Sequence, residues 1–263
     1  MIELQADHQR YIKQQYDTAV EFIIPFIERE KKIEKGMRFL EVGSGYGGIC
    51  KAFTDAGCKV TGIELLDHVS AIAKDLLQTE IAEARAEIIN KNVYDINPEK
   101  DLDAKYDIII LKDTIEHIHG QEQFVKHIIH FLKEDGVIFF AFPPWFMPFG
   151  GHQQSLDSKF LDKLPYFHIL PTSLYRGIMK LFGEIDGRIV DVLEVKETQI
   201  SINRFERITK EAGFKILQRE FYLINPSYKH KFGATPKKQF AWVSAIPWFR
   251  DFFTTTCYYL LRK

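Results

Sequence analysis

The sequence predicts an α/β fold: a doubly wound, mostly parallel seven-stranded sheet with an N-terminal helical extension and a helical lid after the fifth strand. Three observations carry this. Short apolar runs alternate with amphipathic stretches of helical length, the pattern of βαβ units. Residues 106–111 are almost continuously apolar, as a strand buried on both faces must be. A glycine-rich segment, Gly43-Ser44-Gly45-Tyr46-Gly47-Gly48, follows the first strand directly and opens a helix.

The elements follow in order. Residues 8–35 read as helix, because Ile12, Tyr16, Val20, Ile23, Phe26 and Ile27 recur near the helical period among charges. Pro25 is expected to kink or interrupt that helix. Residues 37–42 form the first strand, and the helix after the glycine run stops near Gly57. A second strand covers 59–64, and a helix over 69–77 places Val69, Ile72, Ala73 and Leu76 on one face. A weak third strand (87–90) and a strong fourth (106–111) come next. Phe124, Val125, Ile128, Ile129 and Leu132 then mark a helix stopped at Gly136, before a fifth strand at 137–142. The alternation lapses over 143–198, which is rich in proline and aromatics with short helical patterns such as 174–182. It resumes with a helix at 202–212, a stop at Gly213, and strands at 214–224 and 254–262. The expected divisions are a cap (1–35), a core (36–142), a lid (143–198) and a segment completing the sheet (199–263).

Bulk composition narrows the function. With 46% hydrophobic and 27% charged residues, the chain can bury a full core. A formal net charge of -1 argues against a nucleic-acid partner, which normally demands a basic stripe; the lysines between 229 and 238 read as a solvated loop. Cys50, Cys58 and Cys257 show no CxxC spacing, so neither a disulfide framework nor a zinc site follows and a reducing cytoplasm is expected. The charged N-terminus is unlike a signal peptide. No run approaches the ~18 apolar residues of a membrane span.

The glycine turn satisfies two patterns. Gly43, Gly45 and Gly48 spell the dinucleotide GxGxxG, whereas Glu41, Gly43, Gly45 and Gly47 spell an acidic ExGxGxG. Dinucleotide sites usually have an apolar residue at the Glu41 position. Glu64 ends the second strand, where a carboxylate can accept both ribose hydroxyls. That acid fits NAD and S-adenosylmethionine equally, since both carry adenosine, and a purely structural turn stays open at this point.

Later segments discriminate. FLEVGSGYGG, the Glu64 strand end, the NVYD loop from Asn92, the DIIILKDTIEHI segment from Asp107 and the Ala212-Gly213-Phe214 turn occur in order. As a set they resemble the class I S-adenosylmethionine-dependent methyltransferases, above all the small-molecule branch of ubiquinone and menaquinone biosynthesis. The resemblance covers about residues 36–142 and 200–224. It implies a Rossmann-like core that binds S-adenosyl-L-methionine and releases S-adenosyl-L-homocysteine. Glu41, Gly43, Ser44 and Gly45 would surround the methionine part, with Glu41 near the amino group. Glu64 would take the ribose hydroxyls, and Leu65 would pack on the adenine. Asn92 stands where the family often has Asp, and Val93 would offer its N–H. Lys112 and Asp113 would lie along the methionine moiety. His117 matches a recurrent family histidine, with a role in chemistry or at a helix start.

The segment after the fifth strand is where an acceptor belongs. It runs Pro143-Pro144-Trp145-Phe146-Met147-Pro148-Phe149-Gly150-Gly151-His152-Gln153-Gln154. His152 is the candidate general base for an oxygen acceptor, with a structural histidine as the alternative. Trp145, Phe149, Gln153, Tyr166 and His168 are the candidate substrate-binding residues. Gln154 and Asp113 are further candidates for orienting the acceptor. The aromatics imply an apolar or aromatic small molecule, unless they pack the lid onto the sheet. No Asp/Asn/His set for a metal is evident. Residues 170–182 and 242–253 suit core packing, a dimer face or peripheral membrane contact. Two alternatives accompany this reading: an NAD(P)-dependent oxidoreductase on the GxGxxG turn, and a cofactor-binding protein without catalysis.

Overall fold

The computed structural model describes the backbone of residues 2–263 and the side chains of residues 7–263. Helix α1 (Ile2–Thr18) passes through one π turn (Ala19–Ile23) and continues as α2 (Ile24–Ile27). Pro25 lacks the N–H that an uninterrupted helix would use, and the π turn just before it absorbs that loss. The interruption is therefore a local widening, and the helix ends at Ile27 rather than 35.

The core follows as β1 (Arg38–Val42), α3 (Gly48–Asp55), β2 (Lys59–Ile63), α4 (Asp67–Leu76), α5 (Gln78–Ala82), β3 (Ala86–Ile89), β4 (Tyr106–Lys112), α6 (Gln121–Ile128) and β5 (Leu132–Phe142). The helix expected to reach Gly136 stops earlier. It tightens into a 3-10 turn at Ile129–Phe131, and Leu132 already pairs with Tyr106 across the sheet. Ile129 and Leu132 continue the helical spacing only because both meet the same core, so periodicity alone could not mark the change.

The lid carries α7 (Thr172–Leu181) and α8 (Asp186–Thr198). The chain then adds α9 (Ile202–Glu211), β6 (Lys215–Ile224), α10 (Ser227–Phe232), β7 (Lys237–Lys238), α11 (Ala241–Ser244) and β8 (Thr256–Arg262). The sheet order is β3-β2-β1-β4-β5-β8-β6-β7, with β8 wedged antiparallel between β5 and β6. There are thus eight strands rather than seven. The extra one is a two-residue, lysine-only edge strand, which has no apolar pattern to find and suits an edge that must resist further pairing.

Side-chain alternation divides the core. Phe39, Ile108, Ile110, Val137, Phe139 and Tyr258 face α2 and α3, meeting Phe26, Ile49 and Phe53. Leu40, Ile109, Leu111, Ile138, Phe140 and Tyr259 face α6 and α9, meeting Phe124, Ile128, Phe205 and Ile208. The lid builds its own small core from Leu161, Phe167, Tyr175, Met179, Ile189 and Val192. It is a folded unit rather than a loose loop. Among the described residues, no helix is long and apolar enough to cross a membrane.

Candidate active site

The carboxyl ends of β1, β2, β4 and β5 share one edge of the sheet, where open α/β sheets place their ligands. Gly43 bends the chain there at φ +74°, and the N–H groups of Gly43 and Ser44 bond the Ile63 carbonyl at 2.8 and 3.0 Å. A Cβ on Gly43 would stand 2.8 Å from Thr114 Oγ1, so both conformation and space demand glycine. At Gly48 a Cβ would meet the Ile12 carbonyl at 2.6 Å, because α1 lies directly on the turn.

Glu64 is fastened by main chain: Gly45 N–H donates to its Oε2 at 2.9 Å and Leu66 N–H to its Oε1 at 3.0 Å. A carboxylate has about four acceptor positions, so capacity remains for two hydroxyls. The Asn90 amide, for which the sequence offers no spacing signal, donates to the carbonyls of Glu64 and Leu65 at 2.9 and 3.0 Å and pins this strand exit. Glu41 is buried, with Cys50 Sγ donating to its Oε2 at 3.1 Å. Burial outweighs that bond and the charge of Lys112, and pushes the carboxyl up to about 8. Ser44 is buried with no hydrogen-bond partner for its Oγ. A buried carboxyl poised to ionise, a free hydroxyl and a glycine cradle suit the ammonium, carboxylate and ribose of S-adenosylmethionine.

Two adjoining cavities occupy the sheet edge. One, of about 590 Å³, is lined by Tyr11, Gln14, Gly45, Tyr46, Glu64, Leu66 and Val69. The other, of about 440 Å³, is lined by Lys112, Asp113, Met147, Phe149, His152, Gln154 and Tyr228. Tyr11, Gln14 and Lys231 border both. Neither α1 nor α10 was expected at the site. The signal in α1 was nevertheless present: Tyr11, Gln14, Gln15 and Thr18 recur at helical spacing and all line the second cavity.

Other expected cofactor residues are placed differently. Leu65 is exposed and lines neither cavity; Leu66 and Val69 do. Asn92 caps a short turn by accepting Tyr94 N–H at 3.0 Å. Val93 is buried, and its carbonyl faces His127 Nε2 at 3.2 Å. Lys112 is ion-paired to Asp113. Asp113 sits at φ +53°, uncommon for a non-glycine residue, with its N–H on the Ala141 carbonyl at 2.8 Å.

His152 reaches the second cavity from a left-handed backbone (φ +54°), and its carbonyl accepts both the N–H and Oγ of Ser155 at 2.9 Å. Surrounding protein, then the neighbouring His117 ring, pushes the imidazole down to about 4, so it is neutral near physiological pH. The two rings lie 4.9 Å apart. Glu116 is buried, neither carboxylate oxygen has a hydrogen-bond partner, and its Oε1 is 4.0 Å from His152 Nε2. Burial, then Asp113, raises the Glu116 carboxyl well above its usual range. One donor atom each from Glu116, His117 and His152 falls within 4.8 Å of the others. The sequence offered no such grouping, because it joins two loops distant in sequence. Metal bonds of about 2.0–2.2 Å would draw the three slightly closer.

Of the five candidate substrate-binding residues, only Phe149 lines the second cavity. Gln153 is fully buried, and its amide donates to the carbonyls of Pro148 and Leu164 at 2.9 and 3.3 Å. His168 is equally buried, with Nε2 donating to the Trp145 carbonyl at 2.8 Å and Nδ1 facing the Gln153 amide at 3.4 Å. The Trp145 ring packs edge-on to His168, and the Trp145 main-chain N–H donates to the Ile200 carbonyl at 2.8 Å. The Tyr166 hydroxyl donates to the Phe252 carbonyl at 3.3 Å. Gln153 and His168 thus hold lid main chain together, because buried polar groups in a loop-rich unit must find partners.

The chain is similar to known proteins in three ways. A family model described as a methyltransferase domain matches residues 8–180. Ubiquinone biosynthesis O-methyltransferases of Rhodopseudomonas palustris and Coxiella burnetii are each 27% identical, over 107 and 118 residues. Those matches cover 41% and 45% of this chain and 40% and 48% of the relatives, so the chain spans under half the length of the curated relatives it matches. Among solved structures, phosphoethanolamine N-methyltransferase 2 of Haemonchus contortus with S-adenosyl-L-methionine has a TM-score of 0.56 at 16% identity, over 94% of this chain and 52% of that one. Magnesium protoporphyrin IX methyltransferase of Synechocystis has a TM-score of 0.56 at 12% identity, over 99% and 94%. Both share the fold.

Proposed function

The chain belongs to the methyltransferase-domain family, and from that premise we propose that it moves a methyl group from S-adenosylmethionine to an oxygen of a small, apolar or aromatic acceptor. The observation that carries this reading is the shared wall: Tyr11, Gln14 and Lys231 border both cavities, and His152 lines the second. S-adenosylmethionine supplies a methyl on a sulfonium, so the leaving group arrives activated. The chain's own residues then align and desolvate. Glu64 accepts the ribose hydroxyls, Glu41 takes the ammonium, and Gly43 lets the main chain approach. Met147 and Phe149 give the acceptor an apolar wall. The neutral His152 ring takes the hydroxyl proton, and its Nε2 lies 4.0 Å from Glu116, the carboxyl nearest the new charge. The matched relatives act on oxygen by name, which supports oxygen here.

A second reading of His152 rests on the grouping with Glu116 and His117. In it the three would hold a divalent cation, which would supply Lewis-acid activation of the acceptor hydroxyl. One assay separates the two. Purified chain is incubated with S-adenosylmethionine and a lipid and quinone extract, and products heavier by one methyl are sought by mass spectrometry. The base reading expects product with or without chelator and at least about 100-fold less from His152→Ala. Loss on chelation, restored by added divalent cation, assigns the histidine to a metal instead. Absence of any methylated product, with cofactor bound, would favour a binding protein without catalysis.

A further inference from the structure

Residues 229–253 bring large apolar side chains to the surface rather than into the core. Trp242 and Trp248 are 63% and 62% exposed, and Phe232 is 63% exposed. Trp242, Phe249 and Phe253 form a continuous exposed row, with ring centroids 6.4 and 5.0 Å apart. Trp248 sits at φ +69°, a conformation uncommon in a non-glycine residue and retained only under structural support. Lys229, Lys231, Lys237 and Lys238 are exposed and the span's only acid, Asp251, is buried; Lys229 and Lys238 pair with Glu21 and Glu220 outside the span, which leaves Lys231 and Lys237 as its outward charges. Lys231 and Lys237 lie over the rings of Phe232 and Phe240 at 5.1 and 5.2 Å, each pairing a cation with an exposed ring.

Exposed tryptophan and phenylalanine interleaved with lysine is the surface chemistry of an anionic bilayer interface: rings settle at headgroup depth while lysines meet lipid phosphates. We propose that this surface docks the protein on an anionic phospholipid membrane. Lys231 near the start of the span and Thr255 just beyond its end both line the acceptor cavity, so docking would bring that cavity to the lipid. That last link rests on the apolar acceptor proposed above; the docking surface itself rests on exposure and charge.

The test is co-sedimentation of the full chain with vesicles of phosphatidylcholine alone or doped with phosphatidylglycerol, in parallel with tryptophan emission. Of the three tryptophans only Trp145 is buried, so a blue shift reports Trp242 and Trp248. The chain should pellet with doped vesicles alone, release in high salt, and shift its emission. Trp242→Ala combined with Trp248→Ala should abolish pelleting. Lys237→Ala, at an exposed position, should weaken it roughly fivefold with an unchanged thermal melt. No pelleting with anionic vesicles would overturn the proposal, as would pelleting indifferent to both variants. A concentration-dependent dimer lost in the double variant, without vesicle binding, would assign the face to a second copy. Vesicle binding needs neither cofactor nor acceptor, so its failure leaves the methyl-transfer reading standing.

Discussion

The two cavities meet at Tyr11, Gln14 and Lys231 yet are built differently. On the cofactor side the main chain sets the strand exits, with Gly43 turning at positive φ and the N–H groups of Gly45 and Leu66 closing on Glu64, while Tyr11, Tyr46, Leu66 and Val69 line the space. On the acceptor side the wall is side chain, drawn from α1, residues 147–155, α10 and Thr255. Main-chain turns tolerate little change, because a new Cβ must displace backbone or strain φ. Side-chain walls can be repacked one residue at a time. The glycine turn is therefore the more constrained feature, and the second cavity the more variable one.

Substitutions can break this contrast, the strongest first. His152→Ala should lower kcat by about 10²–10⁴-fold, the usual worth of a positioned base, while cofactor affinity measured by calorimetry stays unchanged. Gly43→Val should weaken cofactor binding roughly 100-fold, from steric conflict with Thr114 and strain at positive φ; an unchanged Kd would mean that the turn is not the cradle. Glu41→Gln should cost about 10–100-fold in affinity, from loss of a charged hydrogen bond. Its pH dependence sharpens the point. Free Glu41 is protonated below about 8, and an ammonium partner favours the carboxylate, so binding near neutral pH should release a proton. Affinity should then fall as pH drops below about 8, and the dependence should vanish in the variant. Gln153→Ala should leave cofactor affinity nearly unchanged but destabilise the lid by about 1–3 kcal/mol, since it unpairs buried carbonyls; thermal unfolding reads that loss.

The same contrast explains what could be read from the sequence. The glycine run and Glu64 lie at the ends of adjacent strands, and strand–turn–helix spacing is local information. The acceptor wall is assembled by tertiary packing. Gln153 and His168 looked like polar groups offered to a substrate, but burial turned both inward to hold lid carbonyls. Leu65 and Leu66 are adjacent, and only the turn geometry decides which faces the cavity. Tyr228 and Lys231 sit on a six-residue helix too short to leave a periodic signal. Glu116 and His117 were visible in their segment, but His152 completes their group only after the lid folds back.

The most direct test of the central claim is a calorimetric titration of the purified chain with S-adenosylhomocysteine, run on the native sequence, Gly43→Val and His152→Ala. The account predicts saturable binding to the native chain, equal binding to His152→Ala, and roughly 100-fold weaker binding to Gly43→Val. No binding to the native chain, or binding of NADH in its place, would contradict it.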